Sequence, residues 1–529
     1  MRIASKASVL AAGQRSFLWL ALAACGTLLN QANQPLPLIA WLVPFFTLRF
    51  MRGRGPLAGY CWLSLVSMGA AWKMAGSGLI PFSGGVLVGI VVGGSLIGSL
   101  PYLADRLLAG RVPLWAASLV FPLAFTGLEY LAVGSAEWGS FGSLAYTQYS
   151  NLALVQVVSL TGLWGLTFLI TWGASTASQL WERGWVFRPA RLAGLSFAGV
   201  LAVAILWGQV RLQRASGPVD SVSVAAFTAF DSRAGLVGDW GDKIQELGWD
   251  GFLADPDQHA AFRALCLDVR QRYFAGTQKL AEAGAQLVLW PEGAGIGLAG
   301  DEVDLIAGGR QLALEYSIYL AMPLATLYPG QERPPENKML LISPQGTVEW
   351  QHVKFGGNAF EGTLLGDGEL LTHASPFGTI SGAICWDMDF PAVISQAGRN
   401  GTDLLLAPAA DFKGVHPIHG QMAVFRAVEN GVNLLRQADN GLSLATDSYG
   451  RVVAQMDHFR AGERVLWAQV PTKGVWTLYP VVGDVVGWGA AVGFVGLVGL
   501  VLVRKRRLRL RAEPRAPQRQ PIKETTLAG

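Results

Sequence analysis

The chain has 529 residues, of which 51% are hydrophobic and 15% charged, with a mean hydropathy of +0.35 and a formal net charge of +4. That balance excludes an ordinary soluble enzyme and points to a membrane protein. Nucleic-acid binding is excluded too, because no basic groove with interleaved aromatics accompanies the small charge. Four scattered cysteines, Cys25, Cys61, Cys266 and Cys385, have neither pairing nor metal-ligand spacing.

Apolar segments recur from the N-terminus at roughly 16–31, 36–50, 57–76, 79–104, 113–133, 152–178 and 191–210, with an eighth at about 480–503. Spanning the hydrocarbon core takes ~20 apolar residues, so the first two segments are short. Arg2, Lys6 and Arg15 precede the first run as basic residues precede a signal peptide. Six further apolar segments and the lack of a clear cleavage site favour an anchor.

Charge fixes the orientation. Arg49, Arg52 and Arg54 follow the second segment, Arg106 and Arg111 the fourth, and Arg183, Arg188 and Arg191 the sixth; Arg504-Lys505-Arg506-Arg507 follows the eighth. The connections near 31–35, 77–78 and 134–151 carry no Lys or Arg. Both termini are therefore expected in the cytoplasm. The plan is a membrane part at 1–211, an outer domain at 212–478, a closing helix at 479–503 and a basic tail at 504–529. The outer loop from Trp138 to Gln148 is rich in Gly and aromatics, and Glu129 and Lys73 lie in or beside apolar segments, where ionisable groups are functional candidates.

In the outer domain, 221–229 reads as a strand and 258–284 as a helix ending in Gly. Gln286–Trp290 is a buried strand followed by Pro291-Glu292-Gly293. A carboxylate placed there is partly dried, which moves it toward a general base's useful range. Further strands are expected near 316–322, 338–342 and 347–354, the last delivering Lys354 into a loop that carries Glu361. Lys354 is a cation suited to a thiolate and a developing oxyanion.

The run Ser381–Pro391 reads as a buried strand ending at Cys385, a tight turn, and a helix opening near Pro391. A thiol there sits at a sheet rim near helix-start amides that favour thiolate. A strand at 403–408, a helix at about 418–430 and strands near 432–437, 441–447, 451–456 and 464–469 complete a layered α/β sandwich. His416 and His419 have no acidic or cysteine third ligand spaced with them and read as loop histidines, so no metal is expected.

Glu292, Lys354 and Cys385, in this order and with these flanks, resemble the nitrilase superfamily of carbon–nitrogen hydrolases. The matching stretches are Leu289-Trp290-Pro291-Glu292 and Ile384-Cys385-Trp386-Asp387, with Lys354 eight residues after Gly346. His419-Gly420-Gln421-Met422, Arg426–Gly431, Asn440-Gly441 and Thr477-Leu478-Tyr479 also fit. With the membrane plan, the whole resembles the membrane-embedded branch of that superfamily, the apolipoprotein N-acyltransferases. The resemblance implies an α-β-β-α four-layer sandwich and a Glu292–Lys354–Cys385 triad, with Glu361 and the backbone at Trp386 in support. It implies ping-pong acyl transfer without a cofactor, from a phospholipid, phosphatidylethanolamine above all, to the N-terminal diacylglyceryl-cysteine of lipoproteins. A monomer in the bacterial inner membrane is expected, with the catalytic domain facing the periplasm and Trp138, Tyr146, Gln148, Phe412 and His419 on the substrates.

Three local departures stand out. Phe355-Gly356-Gly357-Asn358-Ala359-Phe360-Glu361 replaces a family loop and places Glu361 one residue early. Ala410-Asp411-Phe412 replaces an Asn-Asp-x-Trp-Phe loop, and the residues after Glu292 lack the usual Thr or Ser and Pro. The closest rival is a membrane-anchored amidase of the same fold, and a transporter or scaffold is a rival of another class. The membrane segments lack the interrupted, charged pattern of a transport path.

Overall fold

A computed structural model describes residues 6–30, 36–80, 82–214, 220–230, 238 and 240–512, with side chains from 16 to 507. The connection near 31–35, residues 215–219 and the tail beyond 512 lie outside the described residues.

Every apolar segment read from the sequence carries helix: Lys6–Leu29, Pro37–Arg52, Pro56–Gly76, Gly84–Leu108, Val120–Ser135, Leu163–Arg183, Arg188–Arg214 and Val485–Ala512. Among the described residues, four stretches are long and apolar enough to cross a membrane: Gly84–Leu108, Ala117–Ser135, Arg188–Arg214 and Val485–Arg507. Large apolar side chains such as Leu65, Trp72, Ile97, Leu206 and Val492 are exposed on the helices, as a lipid-facing surface requires.

The segment expected as one span at 152–178 is instead two short helices, Leu152–Val155 and Val158–Thr161, followed by Leu163–Arg183 after a bend of 119°. Gly162 makes the corner at φ 63°, and a Cβ there would lie 2.5 Å from the Tyr479 ring. Only glycine combines that backbone with that close approach. The corner lets the chain lie along the α/β part before it turns into the bundle: Leu478 N–H donates to the Ser159 carbonyl at 3.0 Å, and Gln156 Nε2 donates to the Tyr449 carbonyl at 2.9 Å.

Among the described residues the α/β part holds thirteen strands: β1 (Ser221–Phe227), β2 (Leu287–Leu289), β3 (Gly295–Leu298), β4 (Tyr319–Leu327), β5 (Glu336–Ile342), β6 (Val348–Val353), β7 (Thr372–Ser375), β8 (Gly378–Gly382), β9 (Leu404–Ala410), β10 (Asn433–Asp439), β11 (Leu442–Thr446), β12 (Val452–Asp457) and β13 (Val465–Pro471). One sheet runs β13-β1-β2-β4-β5-β6 with β3 beside β4, and the other β12-β11-β10-β9-β8-β7. Their facing sides share a dry core that includes Val224, Leu289, Leu341, Ile384, Leu406 and Leu435. Helices Pro256–Glu282 and Glu302–Tyr316 carry the outer face of the first sheet. Helices Pro391–Arg399 and Ile418–Asn430 cover the second. This is the four-layer α-β-β-α sandwich.

The second helix layer is not a free surface. Its core is continuous with Leu79, Tyr146, Leu154, Leu163 and Ile170 of the membrane part. The catalytic-type domain and the bundle share one apolar core.

Candidate active site

Glu292, Cys385 and Ala410 all lie just beyond or at the carboxyl ends of parallel strands, the usual site position in open α/β sheets. β2 pairs in parallel with β1 and β4, and β8 in parallel with β9, where Gly382 faces Leu406. Lys354 follows the end of β6.

Glu292 is buried and bridges the two sheets. Its Oε1 accepts from Lys354 Nζ at 2.7 Å and from Asn337 Nδ2 at 2.6 Å, and its Oε2 accepts from the Ala410 N–H at 2.7 Å. Lys354 is fully buried and also donates to Glu361. Burial works against the Lys354 charge, but Glu292, Cys385 and Glu361 hold its proton affinity above the ordinary lysine value. Glu361 thus reaches the lysine from the short helix Asn358–Glu361, despite its one-residue offset in sequence.

Cys385 opens a 3-10 turn, Cys385–Asp389, rather than ending the strand; β8 stops at Gly382. Its φ of 48° is a strained backbone for a residue with a Cβ, at a strand-to-turn corner. Burial, then Glu292, raise the thiol well above its usual range, and Lys354 opposes them.

Two residues that the sequence reading did not single out hold this arrangement. Asp387 Oδ2 accepts from the Ile384 N–H at 2.8 Å, and Oδ1 from the N–H groups of Phe355 at 2.9 Å and Gly356 at 2.7 Å. One buried carboxylate thereby ties the cysteine corner to the lysine loop. His352 completes it, donating to Asp387 at 2.8 Å and to the Glu369 carbonyl at 3.1 Å. Burial lowers its proton affinity and Asp387 raises it above the ordinary histidine value, which suits two donating nitrogens. The signal was present in the sequence as the acid two residues after Cys385. The Gly356-Gly357 departure has a reason here: at Gly357, φ 79°, a Cβ would lie 2.2 Å from the Trp386 ring.

The remaining candidates separate. Trp138, Trp386, Phe412, His419, Glu361 and Cys385 line a cavity of about 490 Å³ together with Met74, Leu79, Ile80, Phe82 and Ile90. Trp386 stacks on Phe360, ring centroids 5.7 Å apart. Tyr146 and Gln148 are buried away from that wall. Tyr146 hydrogen-bonds Ser140 at 2.7 Å and meets Phe425 edge-on, while Gln148 accepts from Trp41 at 3.2 Å and donates to the Pro37 carbonyl at 3.1 Å. Both brace the loop against its neighbours. Glu129 does similar service, accepting from the Leu144 N–H at 2.9 Å.

His419 is not a loop histidine; it sits buried in the first turn of Ile418–Asn430, while His416 lies in the preceding loop. In space, Cys385 and Asp411 do approach it, with ligand-type atoms within 4.8 Å of one another. Asp411 is already engaged, by Arg436 at 2.8 and 3.0 Å and by His419 Nδ1 at 2.7 Å. Its carboxylate is held well below the usual range, burial raising it and Arg436 and His419 outweighing that. The donor set is an ion-pair network rather than a vacant ligand cage. All four cysteines are free thiols.

Residues 239–476 match the carbon–nitrogen hydrolase family. Beyond that domain, the chain is similar to apolipoprotein N-acyltransferases over most of its length. That of Geobacter metallireducens is 28% identical over 73% of this chain and 74% of its own. That of Azotobacter vinelandii is 25% identical over 86% of this chain and 90% of its own. Among solved structures, an amidase from Nesterenkonia sp. is 18% identical, covering 49% of this chain and 94% of that one, with a TM-score of 0.36.

Proposed function

We propose that this chain is an apolipoprotein N-acyltransferase that carries a fatty acyl group as a thioester on Cys385, from a membrane phospholipid to the N-terminal diacylglyceryl-cysteine amine of a lipoprotein. One observation carries the reading: Cys385 opens into a cavity walled partly by the membrane helices, through Met74 and Ile90, and by the segment between them. Drawing an acyl chain out of lipid costs ~0.8 kcal/mol per CH₂, and a site continuous with the bundle avoids most of it.

Glu292 takes the Cys385 proton as sulfur attacks the ester carbonyl. Lys354 Nζ and the backbone N–H at Trp386 hold the tetrahedral oxyanion, a contact of a kind worth roughly 3–4 kcal/mol. Collapse breaks the ester bond, and the lysophospholipid leaves with the proton from Glu292. The acceptor's α-amine then attacks the thioester, its proton passing to Glu292 and on to the departing Cys385 sulfur. Glu361 holds Lys354, and Asp387 holds both loops in register.

Orientation follows from charge. Helix Pro56–Gly76 begins beside Arg54 and ends near the cavity. Arg49 and Arg52 pair with Glu182 and Asp105 at the Arg54 end, where Arg106 donates to the Arg54 carbonyl at 2.9 Å. That basic end faces the cytoplasm, and the catalytic domain the periplasm of a bacterial inner membrane. Phosphatidylethanolamine is the donor of choice, no cofactor takes part, and the unit is a monomer. An impermeant thiol reagent on intact spheroplasts should label Gln258→Cys and spare Arg504→Cys; the reverse pattern overturns the orientation.

Intact mass spectrometry tests the reaction. Wild type given phospholipid alone should gain one fatty acyl group, and a diacylated lipopeptide with a free α-amine should remove it as a triacylated product. Release as free fatty acid at the same rate with or without the amine would make the chain a hydrolase.

A further inference from the structure

Asp389 closes the turn that Cys385 opens. Its backbone is fixed from the membrane side, where Ser140 donates to the Asp389 carbonyl through its N–H at 2.7 Å and its hydroxyl at 2.8 Å. Its side chain has no comparable anchor. The residue is 1% exposed, and neither carboxylate oxygen takes part in a hydrogen bond. Among the described residues its ion-pair contact is His419 Nε2, 3.6 Å away and beyond hydrogen-bond reach. His419 is committed through Nδ1 to Asp411 at 2.7 Å. The other buried acids of the site differ: Glu292, Asp387 and Asp411 each accept two or more hydrogen bonds.

A buried carboxylate without donors is strongly unfavourable, and its donors must come from what fills the space it faces. Asp389 faces the acyl cavity, beside Cys385, Trp138 and Phe141. The walls there are aromatic and aliphatic, so an occupant with an apolar body and a cationic, hydrogen-donating tip is complementary to them.

We propose that Asp389 is the subsite for a primary ammonium group on a substrate whose acyl chain occupies this cavity. The proposal rests on the acyl-transfer reading, in which two substrates carry that group: the ethanolamine headgroup of the donor and the α-ammonium of the acceptor. Three N–H donors of –NH₃⁺ can meet both free oxygens. Glycerol headgroups lack the charge, and a quaternary ammonium lacks the donors. Asp389 binds and orients; no covalent step falls to it.

The test compares full-length wild type with Asp389→Asn in detergent, using phosphatidylethanolamine, phosphatidylglycerol and phosphatidylcholine of identical acyl chains. The first readout is the ratio of adduct-formation rates among lipids, which misfolded protein does not alter. If the donor ammonium sits on Asp389, wild type prefers phosphatidylethanolamine and the variant loses roughly tenfold of that preference or more. The second readout is discharge of an adduct preformed from phosphatidylglycerol. If the acceptor ammonium sits there, the variant's KM for lipopeptide rises by about tenfold. Both ratios staying within about twofold of wild type overturns the subsite. A variant that forms no adduct from any lipid is compared with Asp389→Glu; if that carboxylate fails to restore adduct and preference, the role is structural and the proposal falls. Wild type that forms no adduct from any phospholipid sinks the acyl-transfer reading itself, a separate and distinguishable failure.

Discussion

Two cavities meet at the triad, and they are built from different material. The one on Cys385 has walls from both the membrane part and the soluble part, including Ile80, Phe82, Phe141 and Val415. The other, of about 750 Å³, lies on the Glu292 side and is lined by the soluble part alone, among them Trp249, Tyr273, Arg333, Asn337 and Asp439. Glu361 and Ala410 belong to both walls. Cys385 thus faces the greasy side while Glu292 and its partner Asn337 back onto the polar side. A soluble domain alone would supply the triad and the second cavity; the bundle supplies the first. The contrast locates acyl specificity in the contact between the two parts rather than in the triad.

The strongest way to break this comparison is to remove the group at the boundary. Cys385→Ala should fold, since it deletes one sulfur from an otherwise packed corner, and should show no acyl adduct by intact mass; retained transfer would refute the nucleophile. Next comes Glu361→Gln, which weakens a charge-assisted bond to Lys354 and should slow adduct formation about 10–100-fold. Unchanged rates would leave Glu361 a wall residue only. Filling one cavity at a time sharpens the contrast. Ile90→Trp should slow adduct formation from a long-chain donor by about tenfold while leaving alkylation by a small thiol reagent unaffected. Leu247→Trp, on the second cavity, should change the same donor rate by less than about twofold. Equal effects from both would erase the division of labour.

Much of this was legible in the sequence because strand ends announce themselves. Glu292 follows a buried apolar strand and a proline, Lys354 ends an alternating strand, and Cys385 follows the small, apolar run Ser381–Ile384; in the structure Glu292 accepts from Lys354. What failed was inference from neighbourhood and from apolar length. Tyr146 and Gln148 lie in a loop whose Trp138 does line the cavity, but a loop has an inside, and both side chains point into it. The run 152–178 is largely apolar and largely buried along both the short helices and the long one, so hydropathy could not separate them; Gly162 was the local sign of the break. Asp387 and Asp389 show the opposite limit. They are the same residue type two positions apart, and only the third dimension shows one saturated with donors and the other with none.

The smallest expected effect concerns pH and the ion-pair network beside the nucleophile. Burial works against a charge on His419, but Asp389 and Asp411 outweigh it and bring its value to about 9, against 6.5 for an ordinary histidine. A group that binds its proton more tightly when folded stabilises the fold below its unfolded value and gives that up as pH rises through the folded one. The contribution from His419 is therefore full below about pH 6.5 and gone above about pH 9, and on the order of 3 kcal/mol at most. Asp411, held low by Arg436 and His419 against its burial, behaves with the opposite sign: its contribution is present above the usual carboxylate range and fades only in strong acid. Detergent-solubilised wild type should thus lose thermal stability between neutral pH and pH 10 more steeply than His419→Gln, which carries no titrating ring. Parallel curves for the two proteins would mean that His419 is neutral in the folded state, leaving Arg426 and Arg436 as the cations whose charges act on Asp389.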